Sequence, residues 1–250
     1  MFHATAQQVF VTALVFARVG AMVMTMPGLG DQPAPAQVRL AFSLLMALVI
    51  APVVVSAFPA IPPTIGALVG EVIREILIGL AIGAILRAFL AALATAGEVM
   101  SIQTTLSFAQ TANPTMAQQG STLASFLSLL GVVLVMTTDL HQLFVGAMVR
   151  SFSLFPYGHA PPTGDAAQLA IRTVGGAFAL GIQLAAPVTV FSVVFNLASG
   201  LVGRAMPQFQ IFFAAAPLQV LLGLSLLALS LGTMGIFWVD RYREILAAFV

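Results

Sequence analysis

The chain has 250 residues, 60% of them hydrophobic and only 7% charged, with a mean hydropathy of +1.07 and a formal net charge of +1. A soluble domain carries about 25% charged residues, so a water-facing coat is excluded and most of the surface must meet lipid or other protein. All nine basic residues are arginine, with no basic run to neutralise phosphates, which argues against nucleic acid; the absence of cysteine excludes disulfides and thiolate metal sites.

Crossing about 30 Å of hydrocarbon takes roughly 20 apolar residues. The first such run is Val9–Met26, closed by Pro27 and a turn-like stretch to Pro35. No positive region precedes it, so a cleavable signal peptide is not expected. The second is Val38–Ala57, closed by Pro59, Pro62 and Pro63, and two more follow at Ile65–Leu86 and Ala88–Ser107. Polar residues gather from Gln103 to Ser121 around the turn signal Asn113-Pro114. A fifth run, Leu123–Val149, leads to a loop over Pro156–Asp165. Thr173–Gly203 then has 31 residues without a charge, about 46 Å if helical, which predicts a helix kinked at Pro187 or tilted and partly buried in protein. The last run is Leu218–Val239. β-barrel strands would alternate over about ten residues; these runs are twice that and apolar all round. The pattern predicts an all-α membrane protein. With no polar linker anywhere, residues 1–250 read as a single domain.

Charges inside apolar runs carry the most information. Arg18 lies mid-way along the first run, Glu71, Arg74 and Glu75 in the third, Glu98 in the fourth, and Asp139 with His141 in the fifth. Such a charge at a helix centre costs roughly 2.5–3.5 kcal/mol on insertion scales, so these groups must face protein or water. Glu71, Arg74 and Glu75 share a helix face. Arg74 can bridge one carboxylate locally, leaving the other for a partner such as Arg18. The plain reading is a buried ionic cluster that fixes helix packing; a proton relay and a contact to another subunit are the alternatives. Gly79 and Gly83, four apart, allow two helix backbones to approach closely. Asp139 and His141 read as a hydrogen-bonded structural pair, with proton handling the alternative.

Enzyme motifs fail one by one. Gly28-Leu29-Gly30-Asp31 matches the Gly-x-Gly-Asp of intramembrane aspartyl proteases, but their second aspartate must come earlier and every other Asp here comes later. Leu197-Ala198-Ser199-Gly200 lacks the first glycine and the following histidine of an intramembrane serine protease. Without lysine there is no P-loop, and His3, His141 and His159 give no metal spacing. Neither a catalytic residue nor a cofactor is expected.

The residues do resemble one family. Phe16-Ala17-Arg18-Val19-Gly20 with Met26-Pro27, Glu75–Gly83, Ala96-Gly97-Glu98-Val99-Met100 with Gln103, Leu106-Ser107-Phe108-Ala109 and Asn113-Pro114 are similar to the FliR family. So are His141, Ser151-Phe152, Phe155-Pro156, Asn196–Leu201 and Arg204–Phe212, a stretch that includes Gly200, Pro207 and Gln208. This is the flagellar export-gate subunit, whose counterpart in virulence secretion is SctT. Five positions depart from the family pattern. Thr104-Thr105 stands where Met-Gly is usual, Asn113 replaces an acidic residue, Thr111 lies near the place of a second phenylalanine, and Leu140 replaces a glycine before the histidine.

The resemblance implies one copy assembled with several FliP-like and FliQ-like subunits in the inner membrane, at the core of the basal body. The subunits are tilted helical hairpins buried against one another, with FlhB-like and FlhA-like components docked around them. Unfolded flagellar proteins pass through, driven by the proton motive force and assisted by a cytoplasmic ATPase. It also implies that Gln103–Asn113 is a plug loop, followed by Pro114, with Phe108 as the apolar stopper; read without the resemblance, Phe108 packs a helix end. A proton-coupled transporter of a small solute, the same subunit of an injectisome, and a membrane scaffold are the competing readings.

Overall fold

The computed structural model describes residues 5–26, 35–54, 61–107, 121–157, 163–206 and 211–247, and among them there is helix and no strand. The helices are α1 (Ala6–Thr25), α2 (Ala36–Val54), α3 (Ile65–Gln103), α4 (Thr122–Thr137), α5 (Leu140–Leu154), α6 (Thr163–Ala205) and α7 (Ile211–Ala247). Five of them are long and apolar enough to cross a membrane, and α4 with α5 adds a sixth if the pair acts as one broken span. The chain is an all-α membrane protein.

Helix boundaries follow local chemistry. α1 starts at Ala6, ahead of the apolar run, because Thr5 and Gln8 form a capping box: the Gln8 N–H donates to Thr5 Oγ1 at 3.3 Å and the Thr5 N–H donates to Gln8 Oε1 at 2.9 Å. It ends at Met26 in extended backbone, the conformation favoured before a proline. The two runs expected over Ile65–Leu86 and Ala88–Ser107 are one 39-residue helix. Arg87 between them is exposed, and arginine is a good helix former, so nothing there stops the helix. The fifth run is instead broken between Thr138 and Asp139, where Asp139 adopts φ 58°. α6 begins at Thr163, inside the expected loop, and runs 43 residues through Pro187, about 64 Å. That is twice the hydrocarbon thickness.

The chain packs as two compact units, one of residues 1–89, 139–174 and 243–250, the other of residues 90–138 and 175–242. α3, α6 and α7 each contribute to both. In the first unit, α1 buries Val11, Leu14, Val15, Val19, Met22 and Val23. A Cβ at Gly79 would overlap the Arg18 carbonyl and one at Gly83 the Thr25 hydroxyl. The glycine pair thus lets α1 and α3 lie backbone to backbone along Arg18–Thr25, running the same way. Ile85, Ala147 and Ile245 form a small apolar cluster in the same unit.

In the second unit the C-terminal part of α3 is packed against α4, α6 and α7. A Cβ at Gly97 would fall on the backbone of Leu123 and Ala124, so α3 and α4 touch without intervening side chains. Trp238, the only tryptophan, is fully buried and stacks on Tyr242 at 4.9 Å between ring centroids.

Candidate functional site: buried polar groups at helix ends

Every backbone polar group removed from water needs a partner, and helix ends leave carbonyls and N–H groups over. In both units a side chain from a neighbouring helix fills that need.

In the first unit the side chain is Arg18, which is fully buried. Its Nε donates to Glu75 Oε2 at 2.6 Å and its Nη2 to Glu75 Oε1 at 3.0 Å, a bidentate pair with Glu75 also fully buried. Nη1 donates to the Ser151 carbonyl at 2.8 Å and Nη2 to the Phe155 carbonyl at 3.0 Å. The guanidinium also lies 4.2 Å from the Phe152 ring centroid, within cation–π range. Four hydrogen bonds therefore leave one of its five N–H donors over. The carbonyls it binds belong to the last turn and exit of α5, the negative end of a helix dipole, where a cation is favoured. Both Glu75 oxygens are spent on Arg18, which makes the pair a structural clamp across α1, α3 and α5.

Arg74 extends the grip outward. Its Nη2 donates to the Pro156 carbonyl at 3.1 Å and its Nη1 contacts Glu71 at 3.5 Å. This second pair is partly exposed, 15% for Arg74 and 23% for Glu71, and belongs with surface bridges worth under about 1 kcal/mol. Tyr157, next along the chain, has its phenol pKa raised above the usual 10, chiefly by desolvation and then by Glu71 and Glu75, against a lowering by Arg74.

In the second unit the sign is reversed at the opposite kind of helix end. The Ser121 N–H, at the N-cap of α4, donates to Glu98 Oε1 at 2.6 Å, and the Ala124 N–H donates to Ser121 Oγ at 3.1 Å. An anion and a hydroxyl thus satisfy two of the four N–H groups that have no acceptor within the helix at the positive end of α4. Ser121 Oγ also reaches the Gly97 carbonyl at 3.4 Å.

The end of α3 is closed differently. The Thr104 N–H and Thr104 Oγ1 both donate to the Met100 carbonyl, at 2.9 and 2.8 Å, and the Thr105 N–H donates to the Ile102 carbonyl at 3.2 Å. Thr104 Oγ1 also approaches the Ser101 carbonyl at 3.5 Å. The Gln103 carbonyl accepts from Gln219 Nε2 of α7 at 2.7 Å. Thr105 itself takes φ 59°, a left-handed conformation that glycine adopts freely and a β-branched residue resists. It occupies the position where the FliR pattern usually has glycine.

The remaining expected residues fall elsewhere. Asn196, Gly200 and Arg204 are spaced on one face of α6, and all three are exposed. Phe108, Asn113, Pro114, Pro207 and Gln208 lie outside the described residues, as does the side chain of Phe212. Asp139 is 72% exposed with its carboxylate 4.0 Å from His141 Nε2. Gln219 and the Thr5–Gln8 cap were missed by sequence reasoning; the Thr-x-x-Gln spacing of the cap was the one available signal.

The model of the family described as bacterial export proteins, family 1, matches residues 9–245. A flagellar biosynthetic protein FliR of Caulobacter vibrioides is 62% identical over 98% of both chains. The chain belongs to the FliR family. The FliR of Escherichia coli is 33% identical over 62% of this chain and 59% of its own, and that of Bacillus subtilis 25% identical over 83% and 80%. In this FliR-family chain Arg18 and Glu75 are spent on one another and on the end of α5, and Glu98 on the start of α4.

Proposed function

We propose that this chain is a non-enzymatic subunit of the flagellar type III protein export gate in the bacterial inner membrane, forming part of the channel for unfolded flagellar proteins. The observation that carries the reading is 62% identity, end to end, with a protein named for flagellar biosynthesis, on a chain whose family is one of bacterial export proteins. The outer faces of α6 and α7 support it. Most residues along the apolar stretches of both helices are left uncovered by the chain itself, yet the exposed face of α6 carries Asn196 and Arg204. An amide and a guanidinium on an apolar helix favour polypeptide or water over acyl chains. FliP-like and FliQ-like subunits are the partners that would cover these faces, with FlhB-like and FlhA-like components beside them. Gln103, Phe108, Asn113 and Pro114 are assigned to the plug, where an aromatic side chain can fill a pore and exclude ions.

The test is deletion and complementation with affinity-tagged chain. Loss of flagellar protein secretion, restored by the chain, together with co-purification of small membrane subunits, is the expected result. Purification as a solitary homo-oligomer with secretion intact would overturn it. Phe108→Ala in the assembled complex should raise ion leakage, and unchanged permeability would remove the plug assignment.

A further inference from the structure

We propose that Gln219 and Glu98 are positioning residues that fix the two ends of the segment joining α3 to α4, an inference that rests on the reading of that segment as the plug. At the first end, three of the last four α3 carbonyls are met by Thr104 and Thr105 of the same turn. The fourth, that of Gln103, is met among the described residues from another helix, by the Gln219 amide at 2.7 Å. Gln219 is 4% exposed, so its amide has little water to turn to in place of this carbonyl. The contact is reinforced one turn along α7, where a Cβ at Gly223 would lie 3.3 Å from that of Thr104. At the second end, Glu98 holds the Ser121 N–H at 2.6 Å while the bare Gly97 backbone seats Ala124.

The two contacts differ in what they demand. Gln219 supplies a donor to a carbonyl, so only a side chain with an N–H of the right reach can replace it. Glu98 supplies an acceptor to an N–H, so a neutral amide at that position retains the contact.

The chain has no cysteine, and the Thr104–Gly223 spacing is close to that between the Cβ atoms of a disulfide. A Thr104→Cys/Gly223→Cys pair therefore reports on whether α3 still ends against α7. In the assembled complex, Gln219→Leu should leave subunit yield near wild type, lower the cross-linking rate of this pair about fivefold and raise ion leakage per complex. Gln219→Asn, one methylene short, should do the same and serves if the leucine variant does not assemble. Glu98→Leu should leak, whereas Glu98→Gln should stay close to wild type. Unchanged cross-linking and leakage in both Gln219 variants would overturn the proposal, as would equal leakage from Glu98→Gln and Glu98→Leu. Phe108→Ala, run in parallel, separates the two ideas. If it leaks while the Gln219 variants behave as wild type, the plug stands and the positioning role falls. If it does not leak, the plug falls, and the cross-linking rate alone decides for or against positioning.

Discussion

The two units handle the same difficulty with different chemistry. In the first, a full positive charge is buried beside the end of α5, and a full negative charge, Glu75, has to be buried with it. In the second, the partners of the helix ends are a single carboxylate at the start of α4 and a neutral amide at the end of α3. In each the sign matches the helix end it serves, a cation or N–H donor at carbonyls and an anion at N–H groups. A buried charge in an apolar helix therefore identifies which end of which neighbour lies opposite, and a pair of opposite charges identifies a site closed to water. The cost of error differs accordingly. Removing one member of a buried pair strands the other, whereas removing a cap loses one hydrogen bond.

That contrast can be broken most directly at Arg18. Arg18→Met or Glu75→Met alone should cost about 3–5 kcal/mol by leaving an unpaired buried charge, while the double substitution recovers much of it. Thermal unfolding of the purified complex in detergent measures this, and equal loss in all three variants would show that the α5 carbonyls, not the carboxylate, dominate the site. Glu98→Ala should cost less, about 1.5–3 kcal/mol for a charge-assisted bond to a backbone N–H; a loss matching Arg18→Met would erase the distinction between the units. Thr105→Gly should raise stability by about 1–2 kcal/mol by relieving the left-handed conformation, and a loss would mean that the threonine side chain supplies contacts outweighing its strain. Arg74→Ala should change stability by less than about 1 kcal/mol.

The smallest effect concerns Tyr157. Its raised pKa means that the folded state holds the phenol proton more tightly, so any contribution to stability is complete below pH 10 and is lost as pH rises through the folded value. Ultraviolet titration of wild type against Tyr157→Phe should show this residue ionising above the usual 10.

Much of this was legible beforehand because membrane solvent makes charge conspicuous. The apolar runs announce helices, and Arg18 or Glu98 within them announces a buried partner. Continuity was harder to read. Arg87 looks like a boundary by charge and is none, since a single exposed arginine costs a helix nothing. The break at Thr138–Asp139 carries neither Gly nor Pro, and its sole hint is that Asp tolerates the left-handed region. Gln219 was invisible because an amide in an apolar run has no sequence signature for the carbonyl it serves, 116 residues away. The plug assignment comes from the family pattern, not from any contact of the described residues.

The clamp also has a timetable. Arg18 is synthesised early, but its carboxylate lies 57 residues downstream and the Ser151 carbonyl 133. At roughly 5–20 residues per second, the first hydrophobic helix emerges with a bare guanidinium on the order of ten seconds before its full set of acceptors exists. During that interval the roughly 2.5–3.5 kcal/mol cost of a central arginine favours holding the nascent segment near the headgroup region or against the insertion machinery, and that cost is lifted in two steps, as the third helix and then the fifth arrive.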